Sequence, residues 1–362
     1  MSQRQDPNSD TQSQAVDPRA RHDRPLAACF ELFIDEAKRQ DAPFYARLSA
    51  IVCQDAELLE LATHAQSTPV PNLLFSAVRY LLLRGEKHEL ANYFACCHET
   101  PRQNEGLSSI FKEFCRRHTS EIENLLRTRR VQTNEVNRCS VLLPAFATVF
   151  EQAGRRPLAL IDVGTSAGLN LLWDRFSYSY GAGPTVGMPD SPLHLQCQMR
   201  GAAVPPMPAL LPPVASRIGL DLQPVDLRDA DQRQWLEALV WPDHPHRLRR
   251  LKQATQIALT DDHDLVLIQG DAREMLPSII AAGPPDATCC IFHSASYNQL
   301  PPDAIADIDE QLLAASARRD VFRIAAEAEQ LIVHTYRGGT THTERMLASF
   351  DSHGRWLEWK PD

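Results

Sequence analysis

The sequence predicts a doubly wound α/β protein, with a mainly parallel sheet carrying helices on both faces and an all-helical domain ahead of it. Three observations point to this class. Up to about residue 130 apolar side chains recur at helical spacing. Beyond it, short apolar runs alternate with amphipathic stretches at the interval of βα units. The first of those runs ends in a glycine-flanked turn, Gly164 to Gly168, which leads into a further helical stretch.

The chain has 362 residues, 43 % hydrophobic and 23 % charged, enough to bury a large core in two domains or one with insertions. Its mean hydropathy is −0.31, and it contains no apolar run of the ~18 residues a spanning helix needs. Lys and Arg number 37 against 46 Asp and Glu, which argues against a general nucleic-acid binder. Basic clusters at Arg116–His118, Arg127–Arg130 and His244–Lys252 read as solvated helix faces and turns. Nine cysteines occur without a C-x-x-C pair, so reduced thiols in a cytoplasm are expected, and no metal centre. The cluster Asp243, His244 and His246 reads as a surface loop rather than a ligand set.

Taken in order, residues 1–24 are polar and are expected to form a disordered tail. Residues 25–130 form the helical domain, with Phe30, Phe33, Ile34 and Ala37, then Leu58, Leu59, Leu61 and Ala62, at helical spacing. Residues 131–362 form the α/β domain. A helix is expected from Thr133 or Asn134, as N-cap, to Ala153. Leu158–Val163 reads as a buried strand and Leu169–Phe176 as a helix. Residues 177–213 form a Pro-rich insertion with a small hairpin at Leu193–Arg200. Strands follow at Arg217–Leu222, Asp264–Gln269 and Ala287–Phe292, with helices at Gln232–Val240, His246–Ala258 and Ala272–Ala281 between them. A last helix covers Asp303–Ala317, and Leu331–Thr335 with Leu357–Trp359 supplies a hairpin edge.

The turn after the first strand carries the chemistry. Glycines let the chain bend sharply and let a ligand approach the main chain, and the following helix offers unpaired N–H groups. Asp162-Val-Gly164-Thr-Ser166-Ala-Gly168 therefore reads as a nucleotide-type loop, with Asn170 just beyond it. It also matches a G-x-S-x-G elbow with Ser166 as nucleophile. The cofactor reading predicts more of the chain. Asp221 ends the next strand where an acid could grip ribose hydroxyls, and Asp271 with Ala272 ends the third. His293 ends the fourth strand, where a general base would stand, with Ser294 and Tyr297 to orient an acceptor. Asn134 and Glu135, just before the first strand, are further pocket candidates.

The strand series resembles the Rossmann-like S-adenosylmethionine-dependent methyltransferases. The chain resembles more closely a bacterial domain-of-unknown-function family, number 2332. Its runs appear as Gln132–Val136, Asp162–Leu171, Trp173–Phe176, Leu239–Pro242, Gly270–Ala272, Phe292–Ala295 and His353–Trp359. The first resemblance implies S-adenosylmethionine as cofactor and methyl transfer to a small cytosolic acceptor. Two alternatives stand beside it: a serine hydrolase using Ser166, and an inactive Rossmann-like binding module. The middle glycine of the methyltransferase turn is Ser166 here, and the insertion moves Asp221 far beyond the usual offset.

Overall fold

The computed structural model describes residues 26–95, 101–102, 105–208, 210–260 and 263–361; the expected tail at 1–24 lies outside them. The N-terminal stretches form helices α1 (Leu26–Arg39), α2 (Pro43–Cys53), α3 (Ala56–Ala62), α4 (Val70–Leu83), α5 (Leu107–Arg117) and α6 (Thr119–Thr128). Each buries the apolar stripe its spacing dictates, such as Phe30, Phe33 and Ala37 of α1. Asp55 caps α3 by accepting the Leu58 N–H at 3.0 Å. The helical part shares its core with the rest of the chain. Phe33 and Tyr45 stand 5.2 and 5.7 Å from Trp241, and Tyr80 stands 5.7 Å from Trp235, between ring centroids.

Helix α7 (Cys139–Gln152) leads into β1 (Leu158–Val163), buried along its whole length. The expected helix from Thr133 begins later. Glu135, not Thr133 or Asn134, caps a short 3-10 turn at Val136–Arg138, and α7 follows. Leu169–Arg175 is likewise 3-10 helix rather than α-helix. The insertion holds β2 (Ser177–Tyr180), β3 (Val186–Gly187) and β4 (His194–Arg200). The hairpin expected at Leu193–Arg200 is the single strand β4, which pairs in parallel with β2; its alternating burial, not a turn, explains the pattern.

Then come β5 (Val214–Asp221), α8 (Ala230–Ala238), α9 (Pro245–Thr260), β6 (Leu265–Gln269), α10 (Ala272–Ala282), β7 (Thr288–Ser294) and α11 (Pro302–Ala315). The chain closes with β8 (Val321–Glu327), β9 (Gln330–Arg337), β10 (Thr341–Phe350) and β11 (Trp356–Trp359). Strands β2, β3, β8 and β10 are additions to the sequence reading.

All eleven described strands join one sheet, ordered β3-β2-β4-β11-β10-β9-β8-β7-β1-β5-β6. Strands β6, β5, β1, β7 and β8 run parallel, and β8 to β11 form an antiparallel meander. Both faces of the parallel part are covered. Leu158 and Leu160 of β1 join the core under α7, while Ile161 and Val163 join a second core under α10 and α11. Strand order reverses at β1, whose neighbours are β5 on one side and β7 on the other. In open α/β sheets such a reversal opens a crevice at the strands' C-terminal ends.

Candidate functional site

The crevice is floored by the turn after β1. Gly164, Ser166 and Gly168 take positive φ, at 78°, 53° and 75°. A Cβ on Gly164 would lie 2.3 Å from Ser296 Cβ, and one on Gly168 would lie 3.0 Å from side-chain carbons of Leu265 and Leu267. The space each missing side chain would need is therefore filled by protein: the glycines let the turn nest between the β7 loop and β6. Ser296 Oγ also donates to the Val163 carbonyl at 2.7 Å, tying β7 to the end of β1.

Gln132 and Asn134 lie along the same turn. Ser166 N–H donates to Asp221 Oδ2 at 2.9 Å, and its hydroxyl donates to the Gln132 carbonyl at 3.1 Å. Gln132 Nε2 and the Gln223 N–H both donate to Asp221 Oδ1. Asn134 Oδ1 accepts the Leu169 N–H, so it serves the open end of the 3-10 helix. Asn170 is buried, its Oδ1 facing the Cys139 thiol at 3.5 Å. Among the described residues the Ser166 hydroxyl is bonded to no histidine or acid side chain; it donates to a main-chain carbonyl.

Asp162 is 2 % exposed. Thr165 donates to its Oδ2 at 2.8 Å, and among the described residues no cation pairs with it. Burial pushes its carboxyl up to about 7, against the Thr165 hydrogen bond and with help from the nearby charge of Asp221. Asp271 caps α10 through the Arg273 N–H and pairs with the Arg273 guanidinium, which lowers its pKa; Ala272 begins that helix. Sequence order brings Asp162 and Asp221 to one turn, and leaves Asp271 engaged at a helix start.

At the end of β7, His293 is 1 % exposed and both ring nitrogens are engaged. Arg323 donates to Nε2 at 3.3 Å, which fixes the proton on Nδ1, and Nδ1 donates to Glu327 Oε1 at 2.8 Å. Burial lowers the pKa of the ring, outweighing Glu327. The Tyr297 ring stacks on it at 3.4 Å between centroids. Glu327 Oε1 also accepts the N–H groups of Ser296 and Tyr297. Burial opposes the Glu327 charge, yet these donors hold its carboxyl below the usual range. Three buried polar atoms of this group, Ser294 Oγ, Tyr297 Oη and Glu327 Oε2, have no hydrogen-bond partner among the described residues, the condition a bound molecule or ordered water relieves.

Glu135 lies apart from the turn. It forms a buried ion pair with Arg247 and accepts the Asn137 N–H. Burial alone would raise its carboxyl, but Arg247, His353, Arg250 and Arg138 draw it down to about 2. Arg138 in turn donates to the carbonyls of Ser294 and Ser352, so it straps the β7 end to the β10–β11 loop. Sequence reasoning missed Glu327, Arg323 and Arg138. The available signal was Val321–Glu327, an apolar run closed by an acid, as in β5.

A family model described as "Uncharacterized protein conserved in bacteria (DUF2332)" matches residues 27–359. Comparison with curated proteins and with solved structures returned no match.

Proposed function

The chain belongs to this bacterial family, which brings no activity with it, and from the site itself we propose an S-adenosylmethionine-dependent methyltransferase with a Rossmann-like sheet, acting on a small acceptor. One observation carries the reading: the glycine turn sits where strand order reverses, between buried Asp162 near the end of β1 and half-buried Asp221 at the end of β5. The residues fit the amino end of such a cofactor. Asp162 is a buried carboxylate without a cation, and a ligand ammonium would supply one. Asp221 would take a ribose hydroxyl by sharing oxygens already bonded to Gln132, Gln223 and Ser166.

When bound, the cofactor supplies an activated methyl group. The chain's own task is then positioning and one proton. Ser294 and Tyr297 offer unpartnered hydroxyls to an acceptor, and Glu327 Oε2 is the free oxygen to receive its proton. His293, enclosed and doubly bonded, holds the other Glu327 oxygen and acts as a positioning residue in place of the expected base. Buried free thiols at Cys289 and Cys290 suit a reducing cytoplasm, and among the described residues no helix is long and apolar enough to cross a membrane.

Calorimetric titration with S-adenosylmethionine and S-adenosylhomocysteine tests the proposal. Millimolar or tighter binding is expected, with release of a fraction of a proton at pH 7 as Asp162 ionises, and both are lost in Asp162→Ala. No binding of either compound overturns it. Stoichiometric labelling of Ser166 by a fluorophosphonate would establish the hydrolase instead.

A further inference from the structure

A second concave site lies away from the turn, a cavity of about 220 Å³ lined by Asp41, Asp243, His244, His246, Arg247, Arg250, His353 and Arg355. Three separate segments build it. On α9, His246, Arg247 and Arg250 fall three and four residues apart, so the helix turns them to one side. The segment before α9 adds His244, and the loop between β10 and β11 adds His353 and Arg355. The volume is below the ~300–1,000 Å³ of drug-sized sites, so it admits a small group rather than a large molecule.

Its donors are not all spent. His244 is 6 % exposed, and its Nε2 is buried without a hydrogen-bond partner among the described residues. Arg250 is partly buried, forms no ion pair among the described residues, and its Nε is likewise partnerless. The acids at the site are mostly committed. Glu135, behind the cavity, pairs with Arg247, and Asp351 pairs with Arg355. Asp243 accepts the N–H groups of Phe44 and Tyr45, and Asp41, at the rim with its side chain 89 % exposed, pairs with Arg355 at 4.0 Å. Burial, then the charge of Arg247, pushes His244 down to about 4 and His353 down to about 3, so both are neutral at pH 7. Among the described residues no group of three or more His, Cys, Asp or Glu could hold a metal ion.

We infer that this cavity is a binding site for a small oxyanion, a phosphate or carboxylate group, held by Arg250, Arg247 and Arg355 with His244 as a neutral donor. A planar guanidinium matches either group through paired N–H donors, and an incoming anion would satisfy both orphaned nitrogens at once. The site stands whether or not the turn after β1 binds S-adenosylmethionine.

The test titrates the full chain with inorganic phosphate and, separately, succinate. Ionic strength is held constant with sodium chloride, and binding is read by calorimetry and by tryptophan fluorescence, since Trp241 stacks beside His244 at 6.0 Å. At least one probe should bind at millimolar or tighter Kd; phosphate alone would mark a phosphoryl ligand, and succinate alone a carboxylate. Arg250→Gln should weaken binding at least tenfold while the anion-free melting temperature stays within about 2 °C, because Arg250 forms no ion pair to lose. His246→Gln, changing an exposed lining residue, should weaken it several-fold. Failure of both probes to bind the wild type, or equal binding by wild type and Arg250→Gln, refutes the site.

Discussion

Replacing Glu135 by Gln keeps the shape and the acceptor for the Asn137 N–H, and removes one charge from beneath Arg247. In the fold the carboxyl lies at about 2 rather than 4.5, a displacement equivalent to about 3 kcal/mol of folding free energy at neutral pH. Breaking a buried ion pair by removing one partner costs about 3–5 kcal/mol on general grounds, so the two routes agree. The sign follows from the lowered pKa: the contribution is complete above the unfolded value and is lost as pH falls from about 4.5 toward 2. Urea unfolding of wild type and Glu135→Gln should thus differ by about 3 kcal/mol from pH 7 to 5.5, and converge progressively as pH falls from 4.5 toward 2. Replacing both partners by Met should recover most of the loss, since no charge is then left buried. A Glu135→Gln variant within about 1 kcal/mol of wild type at pH 7, with no convergence in acid, would refute the reasoning.

Other outcomes follow from the same geometry. Gly164→Ala forces a Cβ to within 2.3 Å of Ser296 Cβ at a φ of 78°, and should cost about 2–4 kcal/mol in urea unfolding; adding Ser296→Gly should restore part of it. Asp162 behaves oppositely to Glu135. Its raised carboxyl favours the fold below about pH 4 and loses that contribution as pH rises toward 7. Asp162→Asn should therefore match wild type at pH 4 and exceed it in thermal stability at pH 8. If Glu327 receives the acceptor's proton, Glu327→Gln should reduce methyl transfer by about 10²–10⁴, and any step near pH 7 in the wild-type profile should be that of Asp162 and vanish in Asp162→Asn. A step that vanishes in His293→Ala would return the role to His293, whose Ala variant should otherwise lower the melting temperature first.

Much of the framework could be read from the residues. Leu158–Val163 is apolar chain interrupted only by Asp162, set between Pro157 and Gly164, and it is the buried central strand the pattern demands. The approach of Asn134 to the turn also follows from its place ahead of β1. Strand β10 was hidden because its first half, Thr341–Arg345, is largely exposed and polar, so no hydrophobic alternation marks it. The role of Ser296 could not be anticipated either, because its contact with Gly164 joins residues far apart in sequence. The basic run after His244 shows the limit of local reading. Arg249 is exposed, as a solvated face requires, but Arg247 is 9 % exposed and bound to Glu135. Which arginine is buried depends on packing against residues 135–138, and spacing alone does not reveal that.

Strand β11 consists of residues 356–359, yet it lies inside the sheet, hydrogen-bonded to β10 on one side and to β4 on the other. Strands β2, β3 and β4 leave the ribosome early but connect to the main sheet only through it. Synthesis must therefore pass Trp359 and clear the exit tunnel before these strands acquire that neighbour. Until then β4 exposes an unpaired edge, the kind of surface that recruits chaperones or foreign strands. Removing the final ten residues of this sequence would trim more than a fringe: it would separate the β2–β4 ribbon from the sheet and leave two raw edges in place of one joint.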